Sequence, residues 1–142
     1  MTESIRIIDQ EVRQLLHQLE AKLDDMTPVM KEIAGIMHHA VENTFEMEGR
    51  PRWPALAPAT IRAREKKGHW PGKLLHVSGK THNSWVSAFA PHAARVGSNY
   101  LIAVYNELGT KRGIPARPVR TLTARDIGEI KLKLMEYLFK RQ

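Results

Sequence analysis

Seven histidines are the first place to look for chemistry, and His38, His39 and Glu42 form their tightest group. On a helix His38 and Glu42 stand four residues apart on one face, which is half of what a helical metal site requires. The second ligand pair is missing, HExxH does not occur, and a solvated or packed histidine pair is the plainer reading. Ser78-Gly79-Lys80 has the look of a phosphate-loop tail, but the upstream glycine and a following Ser/Thr-led helix are absent. No GxSxG element exists, and Ser78, Ser84 and Ser87 have no neighbouring His–carboxylate arrangement. Carboxylate-pair catalysis would draw on Glu107, which beside Leu108-Gly109 reads equally as a cap or an ion-pair partner. The chain has no cysteine, which excludes disulfides, thiolate zinc sites and thiol nucleophiles. No catalytic set, metal set or cofactor loop emerges, so the expectation is a non-enzymatic protein that works through its surfaces.

One surface with chemical character is basic. Arg62, Arg64, Lys66 and Lys67 lie between Trp53 and Trp70, a pattern of cations with aromatics that suits the backbone and bases of a single strand. No helix-turn-helix, zinc-finger or RNP signature accompanies it. The function this supports is sequence-nonspecific nucleic-acid binding through the basic 50–80 region, and such contact would be salt-sensitive.

The elements that must carry these residues divide the chain by charge. Residues 1–49 hold four basic and ten acidic groups, and residues 50–142 hold 18 basic and five acidic ones. The overall balance of +7 thus conceals an acidic front of −6 and a basic remainder of +13. Two copies can meet head to tail through such halves, or the basic half can face nucleic acid. At 142 residues one domain spanning 1–142 is expected, large enough to bury a core unaided. No apolar run approaches the ~20 residues that span a bilayer. Residues 1–9 lack the order of a secretory signal, so synthesis in the cytoplasm without membrane association is expected.

Helical periodicity governs the first third. Ile8, Val12, Leu15, Leu16, Leu19 and Leu23 make one stripe, with Asp9 placed to cap it. Thr27-Pro28 predicts a second start, with Thr27 as N-cap, and Ile33, Ile36, Met37, Ala40, Val41, Thr44 and Phe45 continue the period until Gly49 and Pro51. The short link at 24–26 predicts an antiparallel hairpin or one bent helix. Residues 50–83 are a long basic loop broken by prolines and glycines, including Gly79, with one short helix over Pro58–Lys67 stopped at Gly68. Alternation over Ser84–Ala90, a turn at Pro91-His92 and a return over Ala94–Val96 predict a strand pair. Residues 100–107 fit a buried strand or a short helix. Pro115 and Pro118 make residues 113–120 extended, and Thr123 with Asp126 opens a final helix whose Lys140 and Arg141 suit its C-terminal dipole.

Four segments in order give the chain a family likeness: Phe45-(x)3-Gly49-Arg50-Pro51-Arg52-Trp53-Pro54-Ala55-Leu56-Ala57-Pro58-(x)-Thr60; Leu74-Leu75-(x)2-Ser78-Gly79-Lys80; Val96-Gly97-Ser98 with Tyr100 and Tyr105-Asn106-Glu107-Leu108-Gly109; and Ile114-Pro115-Ala116-Arg117-Pro118. Together they resemble the virion morphogenesis, or tail completion, proteins of contractile-tailed phages and prophages, the Mu-like ones among them. Thr81, Asn106 and Val119 depart from the residues usual there. The likeness spans roughly residues 40–140.

The order of elements predicts an α+β fold in which an N-terminal helical pair and a C-terminal helix pack on a small antiparallel sheet of three to four strands, with a long basic loop, and the resemblance adds the function. It implies a structural protein that completes the tail or joins tail to head, acting as a homo-oligomeric ring, hexameric if it follows the tail's symmetry. The partners would be other tail or connector proteins, and the place the neck or tail end of the virion. Physically, Gly49, Gly97 and Gly109 are read as tight-turn or positive-φ positions. Pro115 and Pro118 stiffen an arm that holds Arg117 outward for a partner. Trp53 either packs its loop down or docks into a neighbouring copy. The interface candidates are thus Trp53, Arg62, Arg64, Lys66, Lys67, Trp70 and Arg117.

Overall fold

The computed structural model describes residues 10–75 and 77–139. Expectations that rest on Ile8, Asp9, Lys140 and Arg141 lie outside the described residues. Eight elements follow in order: α1 (Gln10–Asp24), α2 (Thr27–Glu46), α3 (Pro58–Lys66), α4 (Lys80–Asn83), β1 (Trp85–Ala90), β2 (Ala93–Ser98), α5 (Leu101–Leu108) and α6 (Ala124–Phe139). The fold class is α+β.

Helix α2 is the spine. Val29, Ile33, Ala34, Ala40, Val41, Thr44 and Phe45 are buried along it at helical spacing, and it packs on β1, β2 and α6. Its start differs from expectation by one turn of logic: Asp25 is the capping side chain. The Asp25 carboxylate accepts from the Thr27 backbone N–H at 3.0 Å and from its hydroxyl at 2.5 Å, so Thr27 is already helical. At the other end Glu48 adopts φ 56°, Glu48 N–H bonds to Phe45 O and Gly49 N–H bonds to Thr44 O at 2.9 Å. This is a Schellman closure with Glu48 in the left-handed place, and it turns the chain before Pro51. Helix α3 ends in the same way, with Gly68 at φ 75° and His69 N–H on Arg64 O.

Helix α1 does not fold back on α2 as a closed hairpin, because its principal contact is with α6. The hairpin tip pins the junction instead: Met26 N–H donates to Pro91 O at 3.1 Å, and a His92 ring nitrogen bonds to Leu23 O at 2.7 Å. Tyr137 adds a third tie by donating its hydroxyl to Asp25 O at 2.6 Å.

Strands β1 and β2 pair antiparallel from Trp85↔Ser98 to Ala90↔Ala93 around the two-residue Pro91-His92 turn. Among the described residues the sheet has these two strands, fewer than the three to four expected. The missing strands have definite fates. Residues 101–108 are helix α5, set up by Ser98 Oγ accepting the Tyr100 N–H while donating to Ser84 Oγ. Residues 113–120 are extended, as their prolines require, but bond to side chains and to α5 rather than to a strand. Gly97 is also corrected: it sits inside β2 opposite Val86 with no positive φ, and a Cβ there would meet nothing within 4 Å.

The core joins residues far apart in the chain: Val41 and Phe45 of α2, Trp53, Leu74, Trp85, Val96, Ala103 and Val119. Helix α6 is closed at its start by a reciprocal capping box. Thr123 N–H donates to Asp126 Oδ2 at 2.9 Å, and Asp126 N–H donates to Thr123 Oγ1 at 3.2 Å.

Candidate assembly surface

The arm of residues 110–120 is stitched to the molecule on both sides. Gly109, at φ 74°, lets it leave α5; a Cβ there would stand 3.0 Å from Ala116 N. Thr110 N–H bonds to Ile114 O at 2.9 Å, and Arg117 N–H bonds to Asn106 O at 2.5 Å. Pro115 and Pro118 keep this run straight, and Pro118 O accepts the Trp53 indole N–H at 2.9 Å. Trp53 is 5% exposed and meets Phe45 edge-on, so within one chain it packs its loop into the core.

Arg117 is where the expected outward arm fails. It is 5% exposed, and its guanidinium turns inward to donate to Pro54 O and Ala55 O, both at 3.0 Å. The reason is geometric: two successive carbonyls of the loop after Trp53 present a pair of acceptors that a planar fork can satisfy. Burial lowers its pKa, with the nearby Arg64 charge second, and it stays a cation as arginine does.

Arg50, which in sequence is one cation among several in a basic loop, is a second inward hub. It donates to Thr44 Oγ1, Ala40 O and Thr121 O at 3.0 Å each and stands 3.4 Å from Asp126. Glu107 is a third. Its Oε2 accepts the Val119 N–H at 2.7 Å, and its Oε1 meets Arg120 Nε at 3.2 Å, so it is an ion-pair partner rather than a helix cap. Glu42 bonds His38 at 3.3 Å and also His82 at 2.5 Å, a partner 40 residues away. Among the described residues no group of three or more such side chains is placed to hold a metal.

The basic candidates separate into two kinds. Arg62, Lys66 and Lys67 are exposed on and just after α3. Arg64 is half-buried, donates to Lys73 O at 3.2 Å, and has its pKa lowered by that burial. Trp53 lies within the core cluster and the half-buried Trp70 packs against it. Gly79, at φ 84°, precedes α4 and is itself buried.

What remains at the surface is apolar as well as charged. Helix α1 buries no residue and leaves Leu15, Leu16 and Leu23 half-exposed. Helix α5 turns Leu101, Tyr105 and Leu108 outward, and Leu132, Met135 and Phe139 do the same on α6.

The model of the phage virion morphogenesis family matches residues 7–139. The chain belongs to that family. A relative 31% identical over 134 residues, covering 90% of this chain and 89% of its own length, is the Mu-like prophage FluMu G protein 2 of Haemophilus influenzae. No solved structure matches. As a virion morphogenesis protein the chain has a structural role in making phage particles, and among its described residues no helix is long and apolar enough to cross a membrane. The motifs that carried the resemblance are now legible as packing devices: the Gly49–Thr60 run supplies Trp53 and the Arg117 acceptors, and the Ile114–Pro118 run supplies the arm.

Proposed function

We propose that this virion morphogenesis protein completes the tail or joins it to the head, as a ring of identical copies and without catalysis. The observation that carries the reading is the uneven surface. An acidic helical region occupies residues 10–49, and residues 68–125 carry seven cations besides the buried Arg117 and a single carboxylate, Glu107, which is turned inward. Copies with such unlike ends associate head to tail, and a head-to-tail contact that closes makes a ring. Six copies would match a six-fold tail. The ring's partners are the tail and connector proteins at the neck or tail end, and assembly takes place in the host cytoplasm. Sequence-blind nucleic-acid binding is the weaker reading, because Trp53 is buried in the core and Trp70 packs against it.

The test is loss of the gene in an inducible phage or prophage, followed by electron microscopy. Heads and tails that accumulate unjoined or with unfinished tail ends are expected. Normal particles in normal yield would refute the role.

A further inference from the structure

We propose that in this ring helix α1 of each copy lies across the α5 face of the next copy. The proposal rests on the ring reading and names the two surfaces that would close it.

Helix α1 is the donor. It has 15 residues and none is buried. A helix of that length is marginal in water on its own, and most helical stability comes from packing an apolar face. Its C-terminal end is held by Lys22 over the Tyr137 ring and by Leu23 O on His92. Leu15, Leu16 and Leu23 stay half-exposed along ~12 Å of helix.

The acceptor is α5 with the groove beside it. Leu101, Tyr105 and Leu108 recur at helical spacing on one side of α5, with Leu101 58% and Leu108 69% exposed. Ile102, Leu75, Val77 and Ile114 line an adjoining groove of about 350 Å³. Within the chain α5 packs on α4 and β2, whereas α1 packs on α6. The two apolar faces therefore belong to different parts of one molecule, which is what a heterologous, ring-forming contact needs.

Charge selects this pairing over a symmetric one. Helix α1 carries Glu11, Glu20 and Asp24 against Arg13 and Lys22, a net −1, and Asp25 just beyond it is taken by the Thr27 cap. The α5 side offers exposed Lys80, Lys111 and Arg112, and its own carboxylate, Glu107, is occupied by Val119 N–H and Arg120. An α1-on-α1 contact would bring carboxylates together, whereas α1 on α5 brings opposite charges to the rim of an apolar seam.

The absence of native cysteine makes cross-linking clean. Leu16→Cys and Leu101→Cys are placed in separate full-length chains, and both together in a third, and each is treated with a short bismaleimide alongside light scattering. The expected result is a dimer holding one of each when the single variants are mixed, little product from either alone, and a ladder up to ring size from the double variant. The Leu15→Gln/Leu16→Gln chain should lose at least tenfold in assembly affinity with an unchanged melting temperature. Dimers from Leu16→Cys alone would overturn the proposal in favour of a symmetric contact. An oligomer by scattering without the 16–101 product would overturn the α1–α5 seam and leave the ring standing. A monomer at every concentration with no product would overturn the ring itself.

Discussion

The Arg117 Nε donates to the Pro54 carbonyl at 3.0 Å, tying an arm that follows α5 to a loop that follows α2 across 63 residues of sequence. With Nη2 on Ala55 O, the contact fixes where both segments lie. Arg117→Met should cost about 1.5–3 kcal/mol, the range for hydrogen bonds to a charged group. Arg117→Lys keeps the charge but cannot span two carbonyls as a fork does, so it should recover only part of that loss. Urea unfolding of the three chains measures both, and equal midpoints would show that the arm is held by its prolines alone.

Gly49 answers to the backbone. At φ 108° a Cβ would lie 2.6 Å from both Pro51 O and Trp53 N, atoms that cannot swing aside. Gly49→Ala should destabilise by about 1–3 kcal/mol or more, the scale of local backbone strain. Gly97→Ala, in open space inside β2, should be nearly silent. Thermal melts of the pair separate a positional glycine from an incidental one.

Asp126 makes stability depend on acid. Burial acts to raise its pKa, but the Thr123 N–H and hydroxyl together with Arg50 outweigh it and hold the carboxyl below its ordinary 3.8. A group depressed in the folded state adds stability above its unfolded pKa, and that stability is lost as pH falls through the folded value. Asp126→Asn should therefore be less stable at neutral pH, and its deficit should close as pH drops below the ordinary carboxylate range. Parallel pH–stability curves would contradict the assignment.

Much of this was readable from sequence because its signals are local. Proline at the start of α2 and α3, the Thr123–Asp126 box and the alternation of β1 each act within a few residues, and those elements stand where they were expected. The failures are non-local. Nothing near Arg117 announces that its acceptors sit at Pro54 and Ala55, so a proline-flanked cation reads as outward. Glu42 shows its helical neighbour His38 in sequence, but not His82. Residues 101–108 could satisfy a strand or a helix by hydrophobicity, and a serine pair at the end of the hairpin decides for helix. Gly97 shows the converse error, a family-like glycine credited with a conformation that its strand does not use.

The salt dependence of assembly follows from the charge division. Contacts between exposed charges fade once the Debye length falls to ~3 Å near 1 M salt, whereas buried apolar contacts persist. Self-association should weaken steadily between low and high salt. Glu20→Lys/Asp24→Lys should weaken it at low salt and matter little at high salt. Sedimentation across a salt series checks this, and association that strengthens with salt would point to a purely apolar seam.

The central claim is that this virion morphogenesis protein closes on itself through unlike ends. Its most direct test is the absolute mass of the purified protein by light scattering at physiological salt over a concentration series. One closed species of about six 16.2 kDa chains that stops growing with concentration is expected. A single-chain mass throughout the series, or open-ended growth, would contradict it.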